Sequence, residues 1–292
     1  MSIAQPCADS NASPDNRPWC APGAPVDRQQ GTQGFGGFPS DVTLGAAMTL
    51  RHHGSGAAHR RHCACRDPGV RERRGLCHHG VMQLDHVSYA VAASELAQTV
   101  QRLGSELGAA FADGGRHPRF GTRNFVLPLA GGAYVEVVAP LDHPAADSAP
   151  FGRAVRERVE SGGGWMGWVV QVANIAPIEV RLGRQSVEGH RVRPDGTDIR
   201  WRQIGLNDLI ADPQLPYFIS WDDMACHPSV GFSSPIKISQ IAIAGNRDRV
   251  VSWLGECGEE FVDSVNLDWV DGDEPCVSSV TFQTAHGPVT VD

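Results

Sequence analysis

Aliphatic residues are spread so unevenly along this chain that it cannot fold as one uniform body. Residues 1–81 contain eight Val, Ile or Leu, and the alternating and periodic apolar patterns all begin after Val81. So few core-forming side chains cannot offset the ~1–2 kcal/mol per residue that ordering a backbone costs. The same stretch carries nine Arg and six acids, a net of +3 that leaves −11 on residues 82–292. We therefore read 1–81 as disordered. Met82 stands directly before the first strand signal and is a candidate translation start, which would make residues 1–81 a mis-assigned extension. The bias of 24 Arg to one Lys (Lys237) fits G+C-rich coding DNA, in which upstream reading frames persist. A rival reading of the segment is a metal site built from His59, His62, Cys63, Cys65, Cys77, His78 and His79. These ligands are adjacent or one residue apart, and their connecting loop is Arg-rich, whereas structural zinc ligands pair two to four residues apart. Coil is the preferred reading.

Composition narrows the function classes. The chain has 292 residues, a 41% hydrophobic fraction and a formal charge of −8, values of an ordinary globular protein. No run approaches the ~18 apolar residues of a membrane span. No basic stretch followed by an apolar one marks a secretory signal. The negative charge argues against nucleic acid and anionic membranes as partners. A cytoplasmic protein that handles a small molecule is the expectation.

From Leu84 the pattern is a strand, a helix and three strands. Leu84 to Val91 is a strand signal, and Leu96, Val100, Leu103 and Leu107 form one helical stripe ended by Gly108. Two apolar runs then flank Gly131-Gly132, a hairpin signature. The unit repeats about 80 residues later, when Val91 is aligned with Val172. Modules over 84–141 and 164–224 result, within a domain spanning 82–228. A third, partial βαββ module follows over 234–292, with a strand at Ile236 to Ile243 and a helix capped by Asn246. Cys226, Cys257 and Cys276 read as buried reduced thiols. No nucleophile elbow, P-loop or dinucleotide fingerprint is present.

Four local signatures carry a family likeness: Leu84-Asp85-His86-Val87; Gly114-Gly115-Arg116-His117-Pro118 leading to Gly121-Thr122-Arg123-Asn124; Tyr134-Val135-Glu136-Val137-Val138-Ala139-Pro140; and Arg193-Pro194-Asp195-Gly196 leading to Trp221-Asp222 and His227-Pro228. With them the chain resembles the glyoxalase-like domain proteins of the vicinal oxygen chelate superfamily. The resemblance implies an α+β fold of paired βαβββ modules, like that of glyoxalase, bleomycin-resistance and dihydroxybiphenyl dioxygenase proteins, cupping a pocket. It also implies metal ligands on the first and fourth strands of each module. His86 and Glu136 occupy those positions in module one. In module two they fall on Gly167 and near Ser220, so half of the ligand set is missing; His227 or His117 is the candidate to complete it around Zn, Fe, Mn or Ni.

A carboxylate between Val135 and Val137 is costly to bury without a partner, which singles out Glu136. Glu136 and His117 are the candidate catalytic residues. Arg116, Asn124, Trp168 and Trp221 are the candidate substrate-binding residues, since an arginine fork suits carboxylates and tryptophans line apolar pockets. The expected activity is that of a metal-assisted isomerase, lyase or dioxygenase acting on a small carbonyl or enol compound. The rival is a metal-free module that sequesters a small ligand. The third module is expected to cap the domain or to form a homodimer.

Overall fold

The computed structural model describes residues 82–192 and 196–292; the coil, start-site and metal readings for 1–81, and Arg193 to Asp195, lie outside these residues. Module one consists of β1 (Gln83–Ala90), α1 (Leu96–Leu107), β2 (Ala112–His117), β3 (Thr122–Pro128) and β4 (Tyr134–Pro140). Helices α2 (Ala145–Ser148) and α3 (Pro150–Glu160) lead to module two: β5 (Gly164–Gln171), α4 (Ala176–Leu182), β6 (Val187–Val192), β7 (Asp198–Ile204), α5 (Leu206–Ala211) and β8 (Tyr217–Trp221). The two modules share one curved eight-stranded sheet of order β2-β3-β4-β1-β5-β8-β7-β6. They are joined by antiparallel pairing of their first strands, while each first strand runs parallel to its own module's last strand.

Local chemistry explains these elements. The apolar stripe of α1 buries Leu96, Leu103 and Leu107, and Gly108 closes the helix at φ 71°, where a side chain would be strained. Gly131 and Gly132 turn β3 into β4 with φ of 87° and 89°. Asp85 to Ala90 is buried throughout because both faces of β1 are covered. One face belongs to an apolar layer with Val87, Tyr89, Trp165, Trp168 and Phe218. The other belongs to a second layer beneath α3 and α5, with Val138, Val169, Tyr217 and Trp201.

The third unit forms a second sheet from β9 (Lys237–Ala244), β10 (Leu267–Val270), β11 (Cys276–Thr284) and β12 (Gly287–Val291), with α6 (Arg247–Leu254) and α7 (Gly258–Ser264) between β9 and β10. Asn246 caps α6 by accepting from the Arg249 amide. The unit departs from modules one and two. It has four strands in the order β10-β9-β11-β12, and β9 runs parallel to β10, the strand directly after its helices. It packs on the first apolar layer: Trp168 stacks on Phe261 at 6.3 Å, and the Trp165 and Trp253 indoles donate to Val291 O and Pro216 O. Cys257 and Cys276 are disulfide-bonded, which corrects their reading as reduced thiols. Among the described residues no helix is long and apolar enough to cross a membrane.

Candidate functional site

Two β-bulges shape the centre of the large sheet. Leu84 pairs with Val170 and His86 with Val169, so Asp85 is an extra residue between them. A bulge re-aims a side chain and strengthens the local twist, and here it brings three N–H donors around one carboxylate. Asp85 Oδ1 stands 2.5 Å from His86 Nδ1, and Oδ2 accepts from Trp221 Nε1 at 2.8 Å and His227 Nε2 at 3.2 Å. Asp85 is fully buried. Burial pushes its carboxyl upward, yet the hydrogen bonds from His227 and His86 outweigh that and hold it well below the usual carboxylate range.

The hydrogen-bond directions fix the imidazoles. Because His227 Nδ1 accepts from the Ser229 amide, its Nε2 carries the proton given to Asp85. Facing an ionised acceptor, His86 Nδ1 is likewise a donor. His86 Nε2 is thereby aimed into the cavity, 3.1 Å from Tyr217 OH and 3.8 Å from Glu136 Oε2. The His86 ring lies flat on Tyr134 with centroids 4.4 Å apart, which sets its plane.

Glu136 is partnered on both oxygens. Ser88 Oγ donates to Oε2 at 2.7 Å, and Asn124 Nδ2 donates to Oε1 at 2.6 Å. The second bond orients the Asn124 amide, so its Oδ1 accepts from His117 Nε2 at 3.2 Å. Gly114 makes this possible: a Cβ there would stand 2.0 Å from Asn124 Oδ1. Burial lowers the His117 pKa, and this outweighs the opposite pull of Glu136; the Arg191 charge adds to the lowering. Burial and the nearby carboxylates raise the Tyr134 and Tyr217 phenols well above their ordinary value, so both remain O–H donors.

These groups line a narrow cavity of about 50 Å³ between the modules. Phe120, Phe151, Trp201 and Trp221 supply apolar wall, while Gln203 and Arg191 add polar groups. Of the residues singled out from sequence, His86, His117, Asn124, Glu136 and Trp221 border this cavity. Three others are placed elsewhere. Arg116 is exposed on β2, opposite Arg123. Trp168 is fully buried in the layer facing the third unit and donates to Gln214 O, because it pairs with Val87 of that layer while its neighbour Gly167 takes the cavity-facing position. His227 is buried behind Asp85 with both ring nitrogens engaged. Sequence reasoning missed Asp85, Tyr217 and Arg191.

Tyr217 has a positional explanation. The Val91 amide donates to Val138 O and the Val172 amide to Ile219 O, so the modules superpose at an offset of 81 residues. Gly167 then matches His86, and Tyr217, not Ser220, matches Glu136. A phenol stands where module two would carry its carboxylate.

The glyoxalase-like domain family matches residues 84–258, more than half of the chain. The chain belongs to that family. Its fold is shared by a hypothetical protein from Staphylococcus aureus, at 16% identity and a TM-score of 0.53, covering 71% of this chain and 93% of that one. Methylmalonyl-CoA epimerase from Mycobacterium tuberculosis matches at 19% identity and a TM-score of 0.34, covering 51% of this chain and 93% of that one. No curated protein sequence matches significantly.

A divalent metal is implied by the superfamily, and the donor arrangement bears on it directly. His86 Nε2 and Glu136 Oε2 could both face one ion, but His227 is turned away to Asp85 and His117 to Asn124. Among the described residues no three His, Cys, Asp or Glu side chains are arranged to hold a metal ion. The set His86, Glu136 and His227 does not fit a three-ligand centre, and no step below is routed through a metal.

Two acid windows of stability follow from the shifted groups. His117 has a folded pKa below its ordinary 6.5, so the unfolded chain takes up the proton first. Its contribution is complete above about 6.5 and is lost as pH falls below it. Asp85, depressed from 3.8, contributes above about 4 and loses that contribution at lower pH. Melting temperatures between pH 8 and 3 should decline in both windows, and His117→Asn should flatten the upper one alone. An unchanged upper slope in that variant counts against the assignment.

Proposed function

We propose that this protein is an enzyme that moves a proton at the carbon beside a carbonyl of a small molecule bound in the cavity, through an enolate. The observation that carries the reading is the buried Asp85–His86 pair, which presents an imidazole lone pair at Nε2 to the cavity. A base oriented by a buried carboxylate and facing a narrow pocket is an arrangement suited to general-base catalysis.

The residues divide the work as follows. His86 Nε2 accepts the proton of the C–H bond, and the released electron pair moves onto the carbonyl oxygen. Tyr217, whose O–H caps Nε2 at 3.1 Å, turns that hydrogen toward the forming oxyanion. The imidazolium then stands between Asp85 and Glu136, 2.5 Å from the first and 3.8 Å from the second. It returns its proton to the same carbon or to a neighbouring one, which completes an isomerisation. Asn124 and Ser88 keep Glu136 in place throughout.

The test is hydrogen exchange in D2O. Small ketones and 2-oxo acids incubated with the protein should lose ¹H NMR intensity at the carbon beside the carbonyl. His86→Asn should slow this by about 10²–10⁴, and Tyr217→Phe by about 10²–10³. The aromatic wall favours a second reading, a binding module for small ligands. Compounds that bind but never exchange, at rates indifferent to His86→Asn, would move the assignment there.

A further inference from the structure

We infer that the cavity reads two oxygen acceptors on its substrate, and that the Gln203 amide binds the second of them. The inference rests on the proton-transfer reading and adds the substrate class, a small compound with two carbonyl groups. Gln203 lies on β7, is 4% exposed and lines the same cavity as His86 and Tyr217. Its Oε1 accepts from the Trp201 indole at 3.1 Å. An indole nitrogen only donates, so this bond fixes which end of the amide is oxygen and turns Nε2 elsewhere. Gly189 on β6 makes room for the arrangement, since a Cβ there would stand 2.2 Å from Trp201 Cε2.

The pairing of β7 with β8 ties the amide to the base. Gln203 pairs with Ile219, which lines the cavity together with Tyr217 and Trp221, its neighbours two residues away on either side. Gln203 and Tyr217 are therefore diagonal neighbours on one face of the sheet, ~7–8 Å apart and within reach of long side chains. The Tyr217 hydroxyl in turn stands 3.1 Å from His86 Nε2. The donor that meets the reactive carbonyl and a donor from the next strand thus open onto one small space.

Nε2 carries two N–H groups, and among the described residues none accepts from them. This nitrogen is also not sealed away without a partner; it borders the open cavity. Folded proteins pair the great majority of their buried donors. Holding Trp201 takes only the amide oxygen, so the N–H pair remains for an acceptor on the ligand. With Oε1 occupied the amide offers donors alone, and a carbonyl oxygen is the acceptor they match.

The test compares three ketones of one chain length. 2-Hexanone carries one oxygen, whereas 2,3-hexanedione and 2,5-hexanedione carry a second at a short and a long spacing. Kd is read by calorimetry, and KM from proton exchange followed by NMR in D2O. The wild-type protein should bind one of the diketones about 5- to 50-fold more tightly than 2-hexanone. Gln203→Glu keeps an oxygen for the Trp201 indole and removes the N–H donors, while Gln203→Met removes both without adding charge. Each should bring the diketone-to-ketone ratios of Kd and KM close to one. If Gln203 only held the wall in place, all three compounds would weaken together and the ratios would stay as in wild type. Thermal melts check that the variants are folded. Ratios that survive in both variants overturn the inference, as does a wild-type protein that binds none of the three or shows no preference for a diketone. A Gln203-dependent preference in Kd with no exchange leaves the acceptor site standing and removes the proton-transfer reading.

Discussion

Asp85→Asn is expected to slow proton exchange by about 10³–10⁴ and to lower stability by about 3–5 kcal/mol. Three N–H donors converge on the Asp85 carboxylate, and the residue is fully buried. Asparagine keeps one acceptor oxygen and replaces the other with an NH2 group. If that NH2 faces His86, the imidazole must move its proton to Nε2, which removes the lone pair aimed at the cavity. If it faces Trp221 and His227, two buried donors lose their acceptor. Either outcome damages the site, but the two are separable. Denaturant titration measures the stability loss, and exchange in D2O on the folded fraction measures the loss of the base. A variant that exchanges at the wild-type rate per folded molecule would show that Asp85 is structural support and that His86 is no oriented base. Replacing His227 alone should give a smaller effect on exchange, since it reaches the base only through Asp85.

Trp168→Ala should cost about 3–5 kcal/mol, with a fall of roughly 6–20 °C in Tm for a folded body of this size. Trp168 has no exposed surface, stacks on Phe261 of the third unit and donates its indole N–H to Gln214 O. Truncation leaves a cavity at the seam between the large sheet and the unit that covers it, together with an unpaired carbonyl. The site lies on the other face of β5, so the folded variant should keep the wild-type rate and KM for exchange of a small ketone or 2-oxo acid at low temperature. This separates Trp168 from Trp221, whose indole borders the cavity and holds Asp85. A KM that rises severalfold in folded Trp168→Ala protein would return Trp168 to the substrate-binding residues.

Much of this was open to a reader of the sequence. The helical stripe ending at Gly108, the Gly131-Gly132 turn and the repeat of Val91 at Val172 are local patterns with periods set by backbone geometry. Glu136 announced itself because a carboxylate inside an apolar strand needs partners, and Ser88 and Asn124 supply them. Asp85 was hidden for the opposite reason. Beside the more eye-catching His86 it reads as an ordinary strand residue, and only the extra-residue pairing at Leu84 and His86 reveals the bulge that aims it. Trp168 was singled out by residue type alone; alternation from Gly167, which takes the His86 position, puts its indole on the opposite face with Val87.

The sequence by itself determined the modules, their repeat and the family likeness, because these rest on spacings of a few residues that steric and hydrophobic rules fix locally. Tertiary structure decided the site. Tyr217 reaches His86 across 131 positions and His227 reaches Asp85 across 142. Arg191 enters the cavity from an edge strand that comes near β2 only when the sheet curves. Such meetings depend on how strands register and bend in three dimensions, and no periodicity along the chain encodes which distant side chain will complete a hydrogen bond.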